Sequence, residues 1–138
     1  MVPFTIHLKV RHYEMDSLGH VNNAVYLHYL EQVAFEHSEY LGFDRRRYAE
    51  IGGVFVLRKL EVEYMRPAIA GDALTITTWV QEMRGPRAVR RYEVRKQGAA
   101  DPIVTAEGLW IWVDTASMRP RVMPQVLLDA FVDGHAPA

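Results

Sequence analysis

Residues 22–41 read NNAVYLHYLEQVAFEHSEYL, and their apolar side chains recur at intervals of three and four positions. At about 100° per residue this spacing places them on one face of a helix, with polar side chains on the other. An asparagine at the start and Gly42 just beyond the end are typical helix caps. The sequence therefore predicts one helix of about 20 residues whose apolar face is buried against another layer. That face comprises Tyr26, Tyr29, Leu30, Val33, Ala34, His37, Tyr40 and Leu41.

The segments on either side of this helix alternate between apolar and polar residues, as strands with one buried face do. One such segment, residues 4–10, precedes the helix, and four more follow between Val54 and Val113. Their connections are short, which favours antiparallel neighbours. Near the end of residues 103–113 both odd and even positions are apolar, so both faces of this strand carry apolar side chains. We therefore expect an interior strand that is covered on both faces. The sequence predicts an α+β fold, with a curved antiparallel sheet of five to six strands packed around one long helix.

Composition excludes several classes of protein. A length of 138 residues fits a single domain, residues 1–138, that buries a core without covalent staples. The absence of cysteine excludes disulfides, thiolate nucleophiles and thiolate zinc sites. A net charge of -1 argues against non-specific binding of nucleic acid. Because the longest apolar run is Leu109–Val113 and the start lacks a signal peptide's apolar stretch, we expect a cytoplasmic protein with no membrane span.

A polar stretch that contains Asp16, Gly19 and His20 leads directly into the predicted helix. One interpretation is structural, with Gly19 turning the chain, Asp16 and His20 bonding to nearby backbone, and Asn22 or Asn23 capping the helix. Such a stretch of polar residues needs no further role than this. On the local residues alone, this interpretation stays open.

The other interpretation is catalytic. The first amides of a helix are unpaired and carry a partial positive charge, so they are ready donors for a carbonyl oxygen that becomes negative. A carboxylate just upstream, Asp16, attacks that carbonyl or activates water against it, which is the minimum for acyl transfer. His20 orients a group or acts as a neutral hydrogen-bond partner. It has no second ligand three or four residues away, so no metal site is expected.

Residues 16–26, DSLGHVNNAVY, resemble the signature of the hotdog-fold acyl-CoA thioesterases related to 4-hydroxybenzoyl-CoA thioesterase. Three later segments resemble further parts of that family in the same order: EYMRPAIAGD at 63–72, IVTAEG at 103–108 and RPRVMP at 119–124. The resemblance covers nearly the whole chain. It implies a hotdog fold and hydrolysis of an acyl-CoA thioester of small or medium acyl size, with coenzyme A thioester as the substrate and no cofactor.

The resemblance also implies roles for individual residues. Asp16 is the nucleophile or the general base, the amide of Asn23 polarises the thioester carbonyl, and His20 supports them. Leu18 stands where plant acyl-carrier-protein thioesterases carry an asparagine, and no cysteine follows, so their mechanism is not expected here. By position, three residues line a slot for the acyl and pantetheine groups across a dimer interface: Phe55, Val56 and Leu57.

Coenzyme A carries several phosphate groups, so cations are expected at the mouth of the site. Arginine suits this task because its guanidinium matches the geometry of a phosphate. Each candidate is equally explained as ordinary exposed surface. The candidates are Arg58 and Arg87, followed by Lys59, Arg84, Arg90 and Arg91.

Two other functions compete with hydrolysis. A hydratase or dehydratase of acyl thioesters needs a histidine placed at the β-carbon, and no hydration-type segment is found. A non-catalytic acyl-CoA binding module is expected to lack the carboxylate, whereas Asp16 is present. The carrier, coenzyme A or acyl-carrier protein, stays open. Because a small sheet around one helix leaves an edge unpaired, we expect a homodimer. Whether two dimers pair again into a tetramer stays open.

Overall fold

The computed structural model describes residues 1–137 and confirms an α+β architecture with five strands and one long helix. All strand pairs are antiparallel, in the order β1-β3-β4-β5-β2. None of the helices in this part of the chain is long and apolar enough to cross a membrane. The elements are β1 Phe4–Lys9, a 3₁₀ turn His12–Glu14, α1 Asn23–Tyr40, α2 Arg45–Ile51, β2 Gly53–Tyr64, β3 Ala73–Arg84, β4 Arg87–Lys96, β5 Val104–Asp114 and α3 Gln125–Asp133.

The predicted long helix is confirmed together with both of its caps. The side chain of Asn22 accepts a hydrogen bond from the amide of Ala24 at 2.8 Å, and Gly42 beyond the end has a φ of 90°, which favours glycine. The apolar face is buried mainly against β1 and β3. One assignment was wrong: Tyr40 is 60% exposed, because its ring lies beside Phe4 at the rim of the sheet, 5.3 Å between centroids.

Strand alternation divides the sheet into two faces. Ile76 and Val94 are paired across β3 and β4, are both fully buried, and face α1. The opposite face carries exposed charge pairs such as Arg91 with Glu107, 3.4 Å apart. β5 lies between β4 and β2, and residues 111–113 near its end are all buried, so the predicted interior strand is confirmed.

The strand order leaves β2 at an edge of the sheet. This strand is 12 residues long, and its pairing with β5 is shifted between Leu57 and Lys59, which makes Arg58 the extra residue of a bulge. Val56 and Leu57 are each 40% exposed. A long edge strand with exposed apolar side chains is a surface that proteins normally cover.

The helix–sheet interface predicts a large difference between two leucines of α1. Leu30 is 2% exposed and Leu27 is 40% exposed. We expect Leu30→Ala to lower the free energy of unfolding by about 3–5 kcal/mol, because it leaves a cavity under the helix. Leu27→Ala, the matched control, should cost less than about 1 kcal/mol. Urea unfolding of the two variants measures the difference, and equal losses would show that the core is assigned to the wrong face.

Candidate functional site

The chain enters α1 through a small hairpin, residues 14–22. The amide of Asn22 donates to the carbonyl of Glu14 at 2.9 Å, and the amide of Asp16 donates to the carbonyl of His20 at 2.7 Å. Two hydrogen bonds between the arms fix their register. The hairpin therefore brings Asp16 and His20 side by side, just ahead of the first turn of α1.

Asp16 has one carboxylate oxygen engaged and one available. Oδ1 accepts hydrogen bonds from the amides of Leu18 at 2.9 Å and His20 at 3.3 Å, and the turn closes with the amide of Gly19 bonded to the carbonyl of Asp16 at 3.0 Å. Gly19 has a φ of 77°, which suits glycine. Oδ2 accepts no hydrogen bond within residues 1–137. The side chain is thus oriented by the turn while one oxygen stays free for chemistry.

The start of α1 offers one amide that no other group uses. Asn22 is the N-cap: its side chain takes the amide of Ala24, and its carbonyl takes the amide of Val25 at 2.9 Å. The amide of Asn23 bonds to no acceptor in the described part of the chain, while its carbonyl accepts from Tyr64 Oη at 3.1 Å. Asn23 is exposed, so its amide is accessible to a ligand at the positive end of the helix.

A buried pair fastens the hairpin to the helix. Glu14 is only 9% exposed, and its Oε1 accepts from Tyr29 Oη at 2.9 Å and from the amide of Arg11 at 2.8 Å. Burial, and then the nearby carboxylate, raise the pKa of Tyr29, so its hydroxyl stays protonated as a donor. The spacing of the helix predicts Tyr29 only as part of the apolar face. The pairing follows from a second rule, that a buried tyrosine hydroxyl needs a hydrogen-bond partner.

A mostly apolar cavity of about 240 Å³ lies between α1, α2, α3 and the sheet. Phe55, one of the three residues expected to line an acyl slot, is part of the wall of this cavity. Leu57 shares that face of β2, since it pairs with Trp110, whereas Val56 lies on the opposite face because successive side chains alternate. One face of one chain therefore does not bring Phe55, Val56 and Leu57 together. The walls include Ala34, Phe55, Val80, Met83, Trp110 and Phe131.

The expected cations fall into two groups. Arg58 is exposed at the bulge of β2, and Arg87 is exposed on the sheet face away from α1, beside a shallow depression of about 190 Å³. Arg90 was expected at the surface, and that is wrong: it is 7% exposed and lines the apolar cavity. Arg90 lies on the same side of β4 as the buried residues Ala88 and Tyr92, so the alternation of the strand indicates a buried position for it.

Histidines show no sign of a metal centre. Among residues 1–137 no three histidine, aspartate or glutamate side chains are placed to hold a metal ion. His20 is exposed. His37 is a buried core residue, as its place on the apolar face predicts, with Nδ1 2.9 Å from Arg90 Nη1.

Comparison with known proteins supports the resemblance seen in the sequence. The model of the thioesterase-like superfamily matches residues 10–131. An acyl-CoA thioester hydrolase of Escherichia coli, YbgC, is 30% identical over 125 residues, which is 90% of this chain and 92% of the relative. An acyl-acyl carrier protein thioesterase of Arabidopsis thaliana, ATL3, is 29% identical over 127 residues, or 92% of this chain. The chain spans 66% of the length of that plant relative.

A solved structure confirms the hotdog fold. The 1,4-dihydroxy-2-naphthoyl-CoA thioesterase Slr0204 of Synechocystis superposes with a TM-score of 0.86. The match covers 96% of this chain and 97% of the Synechocystis protein at 17% sequence identity, so it is evidence for the fold alone.

The Glu14–Tyr29 pair predicts a local and measurable loss. Tyr29→Phe leaves a buried carboxylate oxygen without its hydroxyl donor, so we expect the free energy of unfolding to fall by about 1–3 kcal/mol. Tyr40→Phe is the matched control on the same helix, since Tyr40 is 60% exposed, and it should change stability by less than about 0.5 kcal/mol. Denaturant unfolding tests both. If the two variants were equally stable, the pair would not hold the hairpin.

Proposed function

The chain belongs to the thioesterase-like superfamily and is an enzyme of the thioester hydrolase class, and we propose that it hydrolyses acyl-CoA thioesters with Asp16 as the catalytic carboxylate. The observation that carries this proposal is the hairpin that orients Asp16 immediately before α1. It leaves Oδ2 without a partner inside residues 1–137, next to a helix whose Asn23 amide is equally unengaged. A carboxylate and an amide donor are the two groups that the reaction needs.

The amide of Asn23 is proposed to hold the thioester carbonyl oxygen. As the carbonyl carbon becomes tetrahedral, its oxygen gains negative charge, which the amide and the positive end of α1 stabilise. One such donor commonly lowers the barrier by about 3 kcal/mol. Because the amide belongs to the first turn of a helix that is packed on the sheet, it needs little reorganisation during the reaction.

Two routes share this geometry and give the same products. Asp16 attacks the carbonyl carbon, forms a mixed anhydride and expels the thiolate of coenzyme A, and water then hydrolyses the anhydride. Alternatively, Asp16 takes a proton from water, which attacks the carbonyl carbon directly. A thiolate is a good leaving group, so neither route requires a strong acid. His20, whose backbone bonds to Asp16, is proposed as a hydrogen-bond partner beside the reacting groups.

The remaining parts of the substrate are assigned to the edge strand β2 and to Arg87 on the sheet face away from α1. Phe55 and Leu57 are proposed to contact the acyl and pantetheine groups, with Val56 contributing from the other face at a subunit boundary. Arg58 and Arg87 are exposed and are proposed to bind phosphate groups of coenzyme A. The name of the plant relative keeps acyl-carrier protein open as a second carrier. A small or medium acyl group and a cytoplasmic location stay predictions.

Hydrolysis is favoured over the two competing functions. The relatives compared above are named thioesterases or thioester hydrolases. A binding module has no need of a carboxylate that is oriented by two amides at a helix start, and Asp16 has this arrangement. We therefore retain hydrolysis as the proposed function.

The first test is thiol release from acyl-CoA substrates. Asp16→Asn keeps an oxygen that accepts from the amides of Leu18 and His20 but removes the nucleophile or base, so kcat should fall by about 10²- to 10⁴-fold. Asp133→Asn, an exposed aspartate at the end of α3, is the control and should retain full activity. The chain has no cysteine, so a thiol-trapping dye reports released coenzyme A alone. Full activity in a folded Asp16→Asn variant would refute the assignment.

A second test concerns assembly. We propose that the edge strand β2 pairs with a second copy, so light scattering should give two or four times the 15.9 kDa of one chain. Val56→Asp places a charge on this edge and should shift the protein towards monomer. Val132→Asp is the matched control on α3, where the valine is 53% exposed, and should leave the mass unchanged. A wild-type protein that is monomeric at micromolar concentration would contradict the proposal.

A further inference from the structure

The cavity contains one feature that an alkyl chain does not explain. Arg90 projects from β4 into a space walled mainly by aromatic and aliphatic side chains, and the residue is 7% exposed. Its guanidinium carbon lies 5.7 Å from the centroid of the Phe131 ring. A buried cation in an apolar cavity is costly unless hydrogen bonds and an opposite charge compensate for the lost water.

Arg90 is only partly compensated by the protein. Nη1 donates to His37 Nδ1 at 2.9 Å and to Thr78 Oγ1 at 3.1 Å. An arginine has five N–H donors, and Nε and Nη2 meet no acceptor within residues 1–137. In the same part of the chain, no carboxylate lies within 4 Å of the guanidinium. Within these residues, three N–H donors and a full positive charge are therefore left without a partner on a side chain that lines the cavity.

The two acceptors of Arg90 hold its guanidinium in place. Burial, and then the adjacent guanidinium, lower the pKa of His37 to about 3, so the imidazole is neutral at physiological pH and serves as an acceptor. The hydroxyl of Thr78 donates to the carbonyl of Arg91 at 2.8 Å, which turns its lone pairs towards Arg90. Both partners are buried. The guanidinium is thus held in one orientation before any ligand arrives.

Two other charged residues line the cavity, and both are exposed to solvent. Glu31 lies on α1 and Arg45 on α2. Charges at an exposed rim are screened by water, whereas a charge inside the cavity is screened much less. The acidic rim residue therefore does not cancel the attraction that Arg90 exerts on an anion within the cavity.

We propose that the cavity binds the far end of the acyl group and that Arg90 selects acyl groups ending in a carboxylate, that is, half-thioesters of dicarboxylic acids. This inference rests on the proposed function and deepens it by naming a substrate class. A carboxylate accepts two hydrogen bonds from one guanidinium and neutralises its charge, which matches the unused donors. His37, which contacts Arg90, lies fourteen residues after Asn23, an axial rise of about 21 Å. Within one chain only a long acyl group spans that distance, so this proposal departs from the expected small or medium acyl group and the test includes long chains.

The first experiment uses the wild-type enzyme and pairs of acyl-CoA substrates. Each pair has the same chain length, with one member ending in a methyl group and the other in a carboxylate, over short, medium and long chains. We expect kcat/KM to favour the carboxylate member by roughly 10- to 100-fold at the chain length that reaches Arg90, which is the range for hydrogen bonds to charged groups. A preference for the methyl member at every length would overturn the proposal.

The second experiment separates Arg90 from a general effect of charge. Arg90→Met removes the donors and the charge but keeps an unbranched apolar side chain, and it should abolish or reverse the carboxylate preference while methyl-ended substrates are still cleaved. Arg95→Met is the matched control on the same strand, because Arg95 lies on the opposite face and pairs with Glu93. An unchanged preference in Arg90→Met would overturn the proposal. Circular dichroism establishes that each variant is folded.

A binding measurement keeps the two proposals distinguishable and does not need Arg90→Met to fold. The wild-type enzyme is titrated by calorimetry with thioether analogues of the acyl-CoA pairs, which lack the hydrolysable thioester, so that affinity is measured without turnover whether or not Asp16 is the catalytic residue. Tighter binding of the carboxylate member supports the role of Arg90 even if the catalytic assignment of Asp16 fails. Equal affinities at all lengths refute the role of Arg90, even if Asp16 is the catalytic residue.

Discussion

The burial of one face of α1 against the sheet is the interaction on which the rest of the structure depends. The helix and β3 provide the centre of the core, where Val33 and Ile76 are both fully buried. This contact sets the direction of the helix, and therefore where its first turn points. Because hydrophobic burial is the largest favourable contribution to folding, the position of the amide at Asn23 is fixed by the core rather than by the loop before it.

The hairpin before α1 is a polar loop that hydrogen bonds hold against the helix and the sheet region. It is tied to the helix by the carboxylate of Glu14 and the hydroxyl of Tyr29, and to the sheet region by the amide of Val21, which donates to the carbonyl of Ala68 at 2.8 Å. Groups that stabilise a transition state work best when their orientation is settled beforehand. The structural and catalytic interpretations of Asp16 are therefore compatible, since one oxygen holds the turn and the other is left for chemistry.

The sequence was sufficient for the fold, for identifiable reasons, whereas the place of the site stays a prediction. Periodicity located the helix and all five strands, because burial repeats with the geometry of the backbone. The sequence left Asn22 and Asn23 as alternatives for the N-cap of α1, and the structure shows that the N-cap is Asn22. Tyr40 was assigned to the buried face but is exposed, because its ring lies beside Phe4 at the rim of the sheet. The Glu14–Tyr29 pair was missed because it joins residues that are distant in sequence, and periodicity carries no information about such pairs.

At Arg90 the alternation of the strand and the residue type predict opposite environments, and the structure follows the alternation. An arginine on a strand is expected in water because of its charge, and this was the prediction. Arg90 lies on the same side of β4 as Ala88 and Tyr92, however, and it is buried with them. A one-residue shift that exposed Arg90 would also turn those two side chains, and Val94, to the solvent face. The strand therefore buries the charge because its neighbours require that register. A buried guanidinium is tolerated when hydrogen-bond acceptors and an opposite charge compensate for the water it loses. The protein provides two acceptors, His37 and Thr78, which is only part of that compensation. The three N–H donors that remain make this part of the cavity polar, in a space whose walls are otherwise mostly apolar.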